Sequence, residues 1–212
     1  MPTFNLHGAY LLLDEQWASQ VSLLRVLEIA AQCGVRLFQY RNKIDSMRDA
    51  YQKAKPLRQA ALDMETIFIV NDRCDLALSL EADGVHLGQE DLPIDLAREI
   101  LGHEKIIGIS THRPEEVKAA MAEGADYLGF GPIFPTSTKA DHEPVVGVEG
   151  LSYVRNLTTL PIFAIGGISL DVVPAIQQAG ANGVAVASVV YRSENIQQTL
   201  QHLVKFFPAK YS

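Results

Sequence analysis

The sequence predicts an α/β chain closed into a (β/α)8 TIM barrel, and three observations carry that prediction. Eight short apolar runs of β-strand character are spread along the 212 residues. Between them lie stretches whose apolar residues recur at three- and four-residue steps, as on one face of a helix. Glycine-bearing turns recur where a helical stretch meets the next apolar run, as a left-handed helix end requires. Strands alternating with helices make a parallel sheet, and eight without a long linker close on themselves. The chain is short for that fold, typically ~250 residues, so its loops must be tight.

In order, the strand-like runs are residues 9–13, 36–40, 67–70, 84–87, 106–109, 127–130, 162–165 and 183–187. Helical patterns fall at 20–32, 47–62, 114–122, 170–179 and 195–206. The turns are Gln32-Cys33-Gly34-Val35, Ala122-Glu123-Gly124-Ala125-Asp126 and Gln178-Ala179-Gly180-Ala181-Asn182-Gly183, and Glu81-Ala82-Asp83-Gly84 reads the same way. The recurring unit implies an array of similar βα modules. One domain, residues 1–212, is expected, with 208–212 as a loose tail.

Composition narrows the function. Hydrophobic residues make up 48% and charged residues 20%, the profile of a globular chain with a large core. A net charge of −7 argues against bulk nucleic-acid binding, which needs a basic surface. Cys33 and Cys74 are the only cysteines and read as reduced thiols. The first ten residues lack a basic start followed by a long apolar stretch, and no apolar run approaches the ~20 residues of a membrane span. Neither a membrane nor a nucleic-acid partner is expected, and the cytoplasm is the default location.

Three clusters at strand ends carry chemistry, and strand ends are where barrel active sites lie. In the first, Gln39-Tyr40-Arg41-Asn42-Lys43, side chains alternate sides along the strand. Phe38 and Tyr40 can face the helices, while Gln39 and Arg41 face the barrel mouth and Lys43 follows in step. An Arg fork, a Lys charge and an amide donor suit a diphosphate. The bland alternative is a solvated surface turn. In the second, the buried run 67–70 leads into Asn71-Asp72, and the next strand leads to Asp91. Neighbouring strands lie about 4.8 Å apart, so Asp72 and Asp91 can share one divalent ion with phosphate oxygens, as at Mg²⁺ sites. Helix-cap or turn roles for the two carboxylates are the alternatives.

The third cluster, Gly131-Pro132-Ile133-Phe134-Pro135-Thr136-Ser137-Thr138-Lys139, is the most specific. Glycine and prolines fix the loop, and three hydroxyls and a Lys are placed to hold phosphate. The loop is long enough to fold over the mouth as a lid; a merely flexible polar loop is the alternative. Gly166-Gly167 after the seventh run and Ala187-Ser188 after the eighth stand where barrels often bind phosphate through backbone N–H groups. A bare Gly-Gly pair would be a weak signal elsewhere. Ser110 ends the fifth run and could bond a heterocycle. His86 shares parity with Gly84 and Gly88, but a lone strand histidine is more often a satisfied polar residue.

Taken together these residues resemble the thiamine-phosphate synthase family. The resemblance runs through 39–43, 70–72, 82–92, 108–110, 129–139, 166–168 and 187–188, nearly the whole barrel. It implies a Mg²⁺-dependent transferase that joins a pyrimidine diphosphate to a thiazole phosphate. Gln39, Tyr40, Arg41, Asn42, Lys43, Asn71, Ser110 and Lys139 would bind the pyrimidine diphosphate, with Arg41, Lys43, Lys139 and Ser110 acting in catalysis. Thr136, Ser137, Thr138, Gly167, Ala187 and Ser188 would hold the thiazole phosphate, and Asp72 and Asp91 the Mg²⁺. A homodimer is expected from the resemblance alone. Ala164 and Ala187 depart mildly from the family pattern and could alter the fit around the thiazole phosphate. Two rivals remain. A thiazole tautomerase would need neither the carboxylates nor the diphosphate cations. A non-catalytic barrel that binds a phosphorylated ligand would show no turnover. A generic isomerase barrel would need an inward acid/base pair, for which His86 with Glu90 is the only candidate.

Overall fold

The computed structural model describes residues 6–136 and 144–208. Its eight strands are β1 (Gly8–Asp14), β2 (Leu37–Arg41), β3 (Ile67–Asn71), β4 (Gly84–Leu87), β5 (Ile106–Thr111), β6 (Tyr127–Phe130), β7 (Ile162–Ile165) and β8 (Gly183–Val186). They pair in parallel in sequence order, and β8 returns to β1 to close the barrel. Around it run α1 (Leu23–Gln32), α2 (Met47–Asp63), α3 (Cys74–Ser79), α4 (Ile94–Leu101), α5 (Pro114–Glu123), α6 (Gly147–Arg155), α7 (Val173–Gln178), α8 (Ser188–Tyr191) and α9 (Ile196–Phe206). Ser22, Ser46 and Asn195 start α1, α2 and α9 by accepting a backbone N–H of the first turn.

The strand period of two divides the core in two layers. Leu11, Phe38, Val70, Val85 and Ile107 pack outward with the apolar faces of the helices. Tyr10, Leu12, Leu37, Ile67, Ile69, Tyr127, Phe163 and Ala185 point into the barrel. Tyr10, Tyr127 and Phe163 meet edge to face there, with centroids 5.2–5.9 Å apart. Glycines make the room. A Cβ at Gly108 would lie 2.0 Å from Tyr127 Cζ, and one at Gly183 would lie 2.6 Å from Phe163 Cε1. The interior is thus a packed core of the kind that costs about 3–5 kcal/mol per large side chain truncated.

A repeated clamp ties the lower rim. Asp83 accepts the Phe68 N–H and the Arg58 guanidinium. Asp126 does the same for Ile107 and Arg98, and Asn182 for Ile162 and Arg155. The arginines sit on α2, α4 and α6, so the repeat is a pair of βα modules rather than one. Gly34, Gly124 and Gly180 take the positive φ expected of helix ends. The fourth turn is different: Glu81 adopts φ 51°, and Gly84 belongs to β4, where a Cβ would lie 2.0 Å from Ile106 O. Gly84 is therefore small for strand packing, not for a turn. In the expected tail, the Pro208 carbonyl accepts from His7 Nδ1, and residues 209–212 lie outside the described set. Among the described residues no helix is long and apolar enough to cross a membrane.

Candidate active site

Apart from Tyr40 and Asn42, the strand-end side chains singled out on β2 to β5 gather at one mouth, but each is held differently. Arg41 closes β2 with Nη1 2.7 Å from Asp14 Oδ2, and both groups are largely buried, at 17% and 3% exposure. Asp14, at the end of β1, also accepts Gln16 N and Gln16 Nε2. It fixes the Arg41 fork while leaving part of it open. Lys43 pairs with Asp72. Asp72 stands just past β3 at φ 61°, a conformation Asn and Asp tolerate better than most residues, with its N–H on His86 O. The α3 cap position is Arg73, so Asp72 is not spent as a helix cap.

The Asp91 carboxylate lies within hydrogen-bond reach of Asp72. Asp91 Oδ2 also accepts the Gly88 N–H at 2.7 Å, so it has a turn role and a free oxygen besides. Burial raises the Asp72 pKa above the ordinary carboxylate value; Lys43 opposes this and Asp91 adds to it. Asn71, half-buried at the end of β3, stands beside them.

Two members of the expected substrate set point elsewhere. Tyr40 is buried on the helix side, where it stacks on Phe68 and its hydroxyl donates to Glu15 Oε1. Asn42 donates to Tyr40 and Asp45 and accepts the Ile44 and Asp45 N–H groups, which shapes the β2–α2 turn. Strand parity, which turns Gln39 and Arg41 inward, sends Tyr40 outward. These two side chains build the wall and not the mouth.

Below the ions runs a buried chain of hydrogen bonds. Gln39 Nε2 donates to Tyr10 OH at 2.7 Å, and Tyr10 OH lies 2.8 Å from Tyr127 OH. Tyr127 OH is 2.9 Å from His86 Nδ1, and His86 Nε2 is 2.9 Å from Ser110 Oγ. Each tyrosine has one proton. Burial pushes both hydroxyls above their usual range, so they stay protonated. With Tyr10 accepting from Gln39, all these groups are satisfied when Tyr10 donates to Tyr127, Tyr127 to His86 Nδ1, and His86 Nε2–H to Ser110. Ser110 then keeps its own O–H to offer to the mouth. Gly129 admits the imidazole: a Cβ there would lie 3.0 Å from His86 Cε1. Both His86 nitrogens are engaged and Glu90 is exposed, so the two do not form an inward acid/base pair.

The loops after β6 and β7 interlock. Ile133 N–H donates to Ile165 O and Phe134 N–H to Gly166 O. Gly167, at φ 63°, sits so close that a Cβ would lie 2.5 Å from Pro135 O. Beside this contact opens a cleft of about 380 Å³ bordered by Thr136, Gly167, Ser169, Ser188 and Arg192. Ala187, which is half-buried, precedes Ser188 at the end of β8. Ala164 packs on the helix side, so its departure from the family pattern does not touch the cleft. Ser137, Thr138 and Lys139, and with them most of the expected lid, lie outside the described residues. Asp14, Tyr10, Tyr127 and Arg192 are the residues that sequence reasoning missed. Only Asp14 carried a signal, a carboxylate directly after an apolar run, as at Asp72.

The chain is thus a parallel barrel with cations and paired carboxylates on one side of its mouth and a glycine- and hydroxyl-lined cleft on the other. The family model for thiamine monophosphate synthase matches residues 9–190. A thiamine-phosphate synthase of Synechocystis sp. is 46% identical over 87% of this chain and 54% of its own length. One from Dictyoglomus thermophilum is 38% identical over 95% of the chain and 91% of its own length. A solved thiamine phosphate pyrophosphorylase from Pyrococcus furiosus superposes with a TM-score of 0.85 at 36% identity, covering 94% of each chain. The chain belongs to the thiamine monophosphate synthase family. It spans about half the length of the Synechocystis relative and nine-tenths of the Dictyoglomus one.

Proposed function

We propose that this chain is a Mg²⁺-dependent thiamine-phosphate synthase. It joins 4-amino-2-methyl-5-(diphosphooxymethyl)pyrimidine to 4-methyl-5-(2-phosphooxyethyl)thiazole and releases diphosphate. The observation that carries the reading is the meeting of Arg41, Lys43, Asp72, Asp91 and Ser110 at one mouth in a chain of this family. The carboxylates fit a divalent cation: two lie side by side, among the described residues Lys43 alone offsets them, and Asp91 keeps an oxygen beyond its turn contact. Mg²⁺ is commonly held by one or two carboxylates completed by phosphate oxygens. Bound by Asp72 and Asp91, it supplies positive charge against the departing diphosphate.

The chain's own groups do the rest. Arg41, oriented by Asp14, and Lys43 hold diphosphate oxygens and stabilise charge as the methylene carbon–oxygen bond breaks, with the electron pair leaving on diphosphate. Lys139, which lies outside the described residues, would join them. The amino group of the pyrimidine delocalises the resulting cation, and the free O–H of Ser110 donates to a ring nitrogen. The thiazole nitrogen then attacks the methylene to form the new carbon–nitrogen bond. No protein nucleophile takes part. The cleft beside Gly167 and Ser188 anchors the thiazole phosphate.

The reading extends to a cytoplasmic homodimer. Leu78 on α3 with Leu96 and Ile100 on α4 are exposed apolar side chains on neighbouring helices, which supports self-association. Light scattering on a sizing column tests it. For the reaction, purified protein is mixed with both substrates and Mg²⁺, and thiamine phosphate is followed by chromatography with an EDTA control. Metal-dependent product is expected. Folded protein that only isomerises the thiazole would replace this reading with a tautomerase, and folded protein with neither activity would leave a binding barrel.

A further inference from the structure

The cleft beside Gly167 has an unusual charge balance. Pro135, Thr136, Gly167, Ile168, Ser169, Ser188 and Val189 are all uncharged, and Arg192 is the one charged residue on its described border. Hydroxyls and backbone N–H groups can bond a phosphate monoester, but they cannot neutralise a dianion. Arg192 is exposed, and none of the ion pairs among the described residues uses it. Its side chain is nevertheless placed: the guanidinium carbon sits 5.5 Å from the centroid of Trp17. Trp17 stacks on Tyr191 with centroids 5.4 Å apart and planes 7° from parallel. The Tyr191 hydroxyl in turn donates to Leu12 O at 3.0 Å, which ties the stack to the barrel wall. A guanidinium resting against an aromatic ring keeps its N–H edge available, and that planar fork matches two phosphate oxygens.

We propose that Arg192, presented by the Trp17–Tyr191 platform, closes the phosphate cleft and makes the site specific for a phosphorylated thiazole over the free alcohol. This rests on the synthase reading for the identity of the substrate, but not for the recognition of phosphate. Tyr191 and Ser188 belong to the short helix α8, so strand β8 delivers the hydroxyl and the cation to the same cleft.

The test is a cycle between one substitution and one substrate group. kcat/KM is measured at saturating pyrimidine diphosphate with the thiazole phosphate and with its dephosphorylated alcohol, for wild type, Arg192→Ala and Arg192→Lys. The expected result is a loss of roughly ten- to hundredfold for Arg192→Ala that is confined to the phosphorylated thiazole, since a charge-assisted contact is removed. Arg192→Lys should recover part of it, and the KM for the pyrimidine diphosphate should stay the same. Equal losses on both thiazoles, or no loss on either, would overturn the proposal. A second measurement needs no turnover. Trp17 is the only tryptophan, so its emission reports on the cleft. Titration with thiazole phosphate should give a Kd that weakens on Arg192→Ala, while equal Kd values would refute the role of Arg192. A chain that binds in this way yet makes no thiamine phosphate would fail the synthase reading alone.

Discussion

Tyr127→Phe isolates the buried chain that ends at Ser110. The substitution removes one oxygen and almost no volume, so packing against Tyr10 and Phe163 persists. It leaves His86 Nδ1 without its donor and the Tyr10 proton without its acceptor, at 2.9 and 2.8 Å from the lost atom. A buried group left unsatisfied costs about 1–3 kcal/mol, and two are exposed to that cost. The expected destabilisation is therefore about 2–6 kcal/mol, or a drop of roughly 4–24 °C in Tm for a chain of this size. Urea denaturation followed by circular dichroism measures it. The double variant Tyr10→Phe/Tyr127→Phe should cost at least about 1 kcal/mol less than the sum of the single changes, because the two hydroxyls satisfy each other. Ser110 loses its fixed acceptor role as well, so the KM for the pyrimidine diphosphate should rise several-fold. A single-variant loss below about 0.5 kcal/mol, or strict additivity, would refute the directional chain assigned here.

Arg41→Ala should abolish synthesis and also destabilise, by about 3 kcal/mol, because it strands the buried Asp14 carboxylate; adding Asp14→Asn should restore most of the stability and none of the activity, read by thermal melts and product formation. Asp72 has a pKa raised in the fold, mainly by burial, so its contribution to stability is full below the ordinary carboxylate value and is lost as pH rises through the raised one. Asp72→Asn, which tolerates the same positive φ, should therefore raise the Tm measured at pH 7 without metal, while abolishing the further rise that Mg²⁺ with inorganic diphosphate gives wild type. For the same reason that Mg²⁺ response in wild type should fade on acidification sooner than ordinary carboxylates would allow. Gly167→Ala would press a Cβ against Pro135 O at a positive φ, so a higher KM for the thiazole phosphate with an unchanged KM for the pyrimidine diphosphate is expected from steady-state kinetics.

The strands were legible because each is a short run of residues whose burial demands them. Residues 84–87, 127–130 and 162–165 agree with β4, β6 and β7, and elsewhere the ends move by one or two residues. Helices α3 and α8 are too short, at six and four residues, to show a period, and the stretch 170–179 divides into a 3-10 turn and α7. Acidic and basic residues at strand ends were legible because charge just past an apolar run must face something polar. What a sequence read strand by strand hides is partnership across the barrel. Gln39, Tyr10, Tyr127, His86 and Ser110 come from five strands, and nothing local to Tyr10 or Tyr127 separates an inward hydroxyl from an ordinary core tyrosine. Arg192 reads as a surface residue until Trp17, 175 positions earlier in the chain, is placed beneath it.

The aromatic stopper formed by Tyr10, Tyr127 and Phe163 makes the barrel a cul-de-sac. There is no rear exit, so two substrates and two products share one doorway. In the proposed reaction, the ring that meets Ser110 must go in before the partner settled nearer the rim, and the joined product must back out past the same loops. Traffic through that doorway, rather than bond-making at its far end, is then a place where this barrel can set its pace.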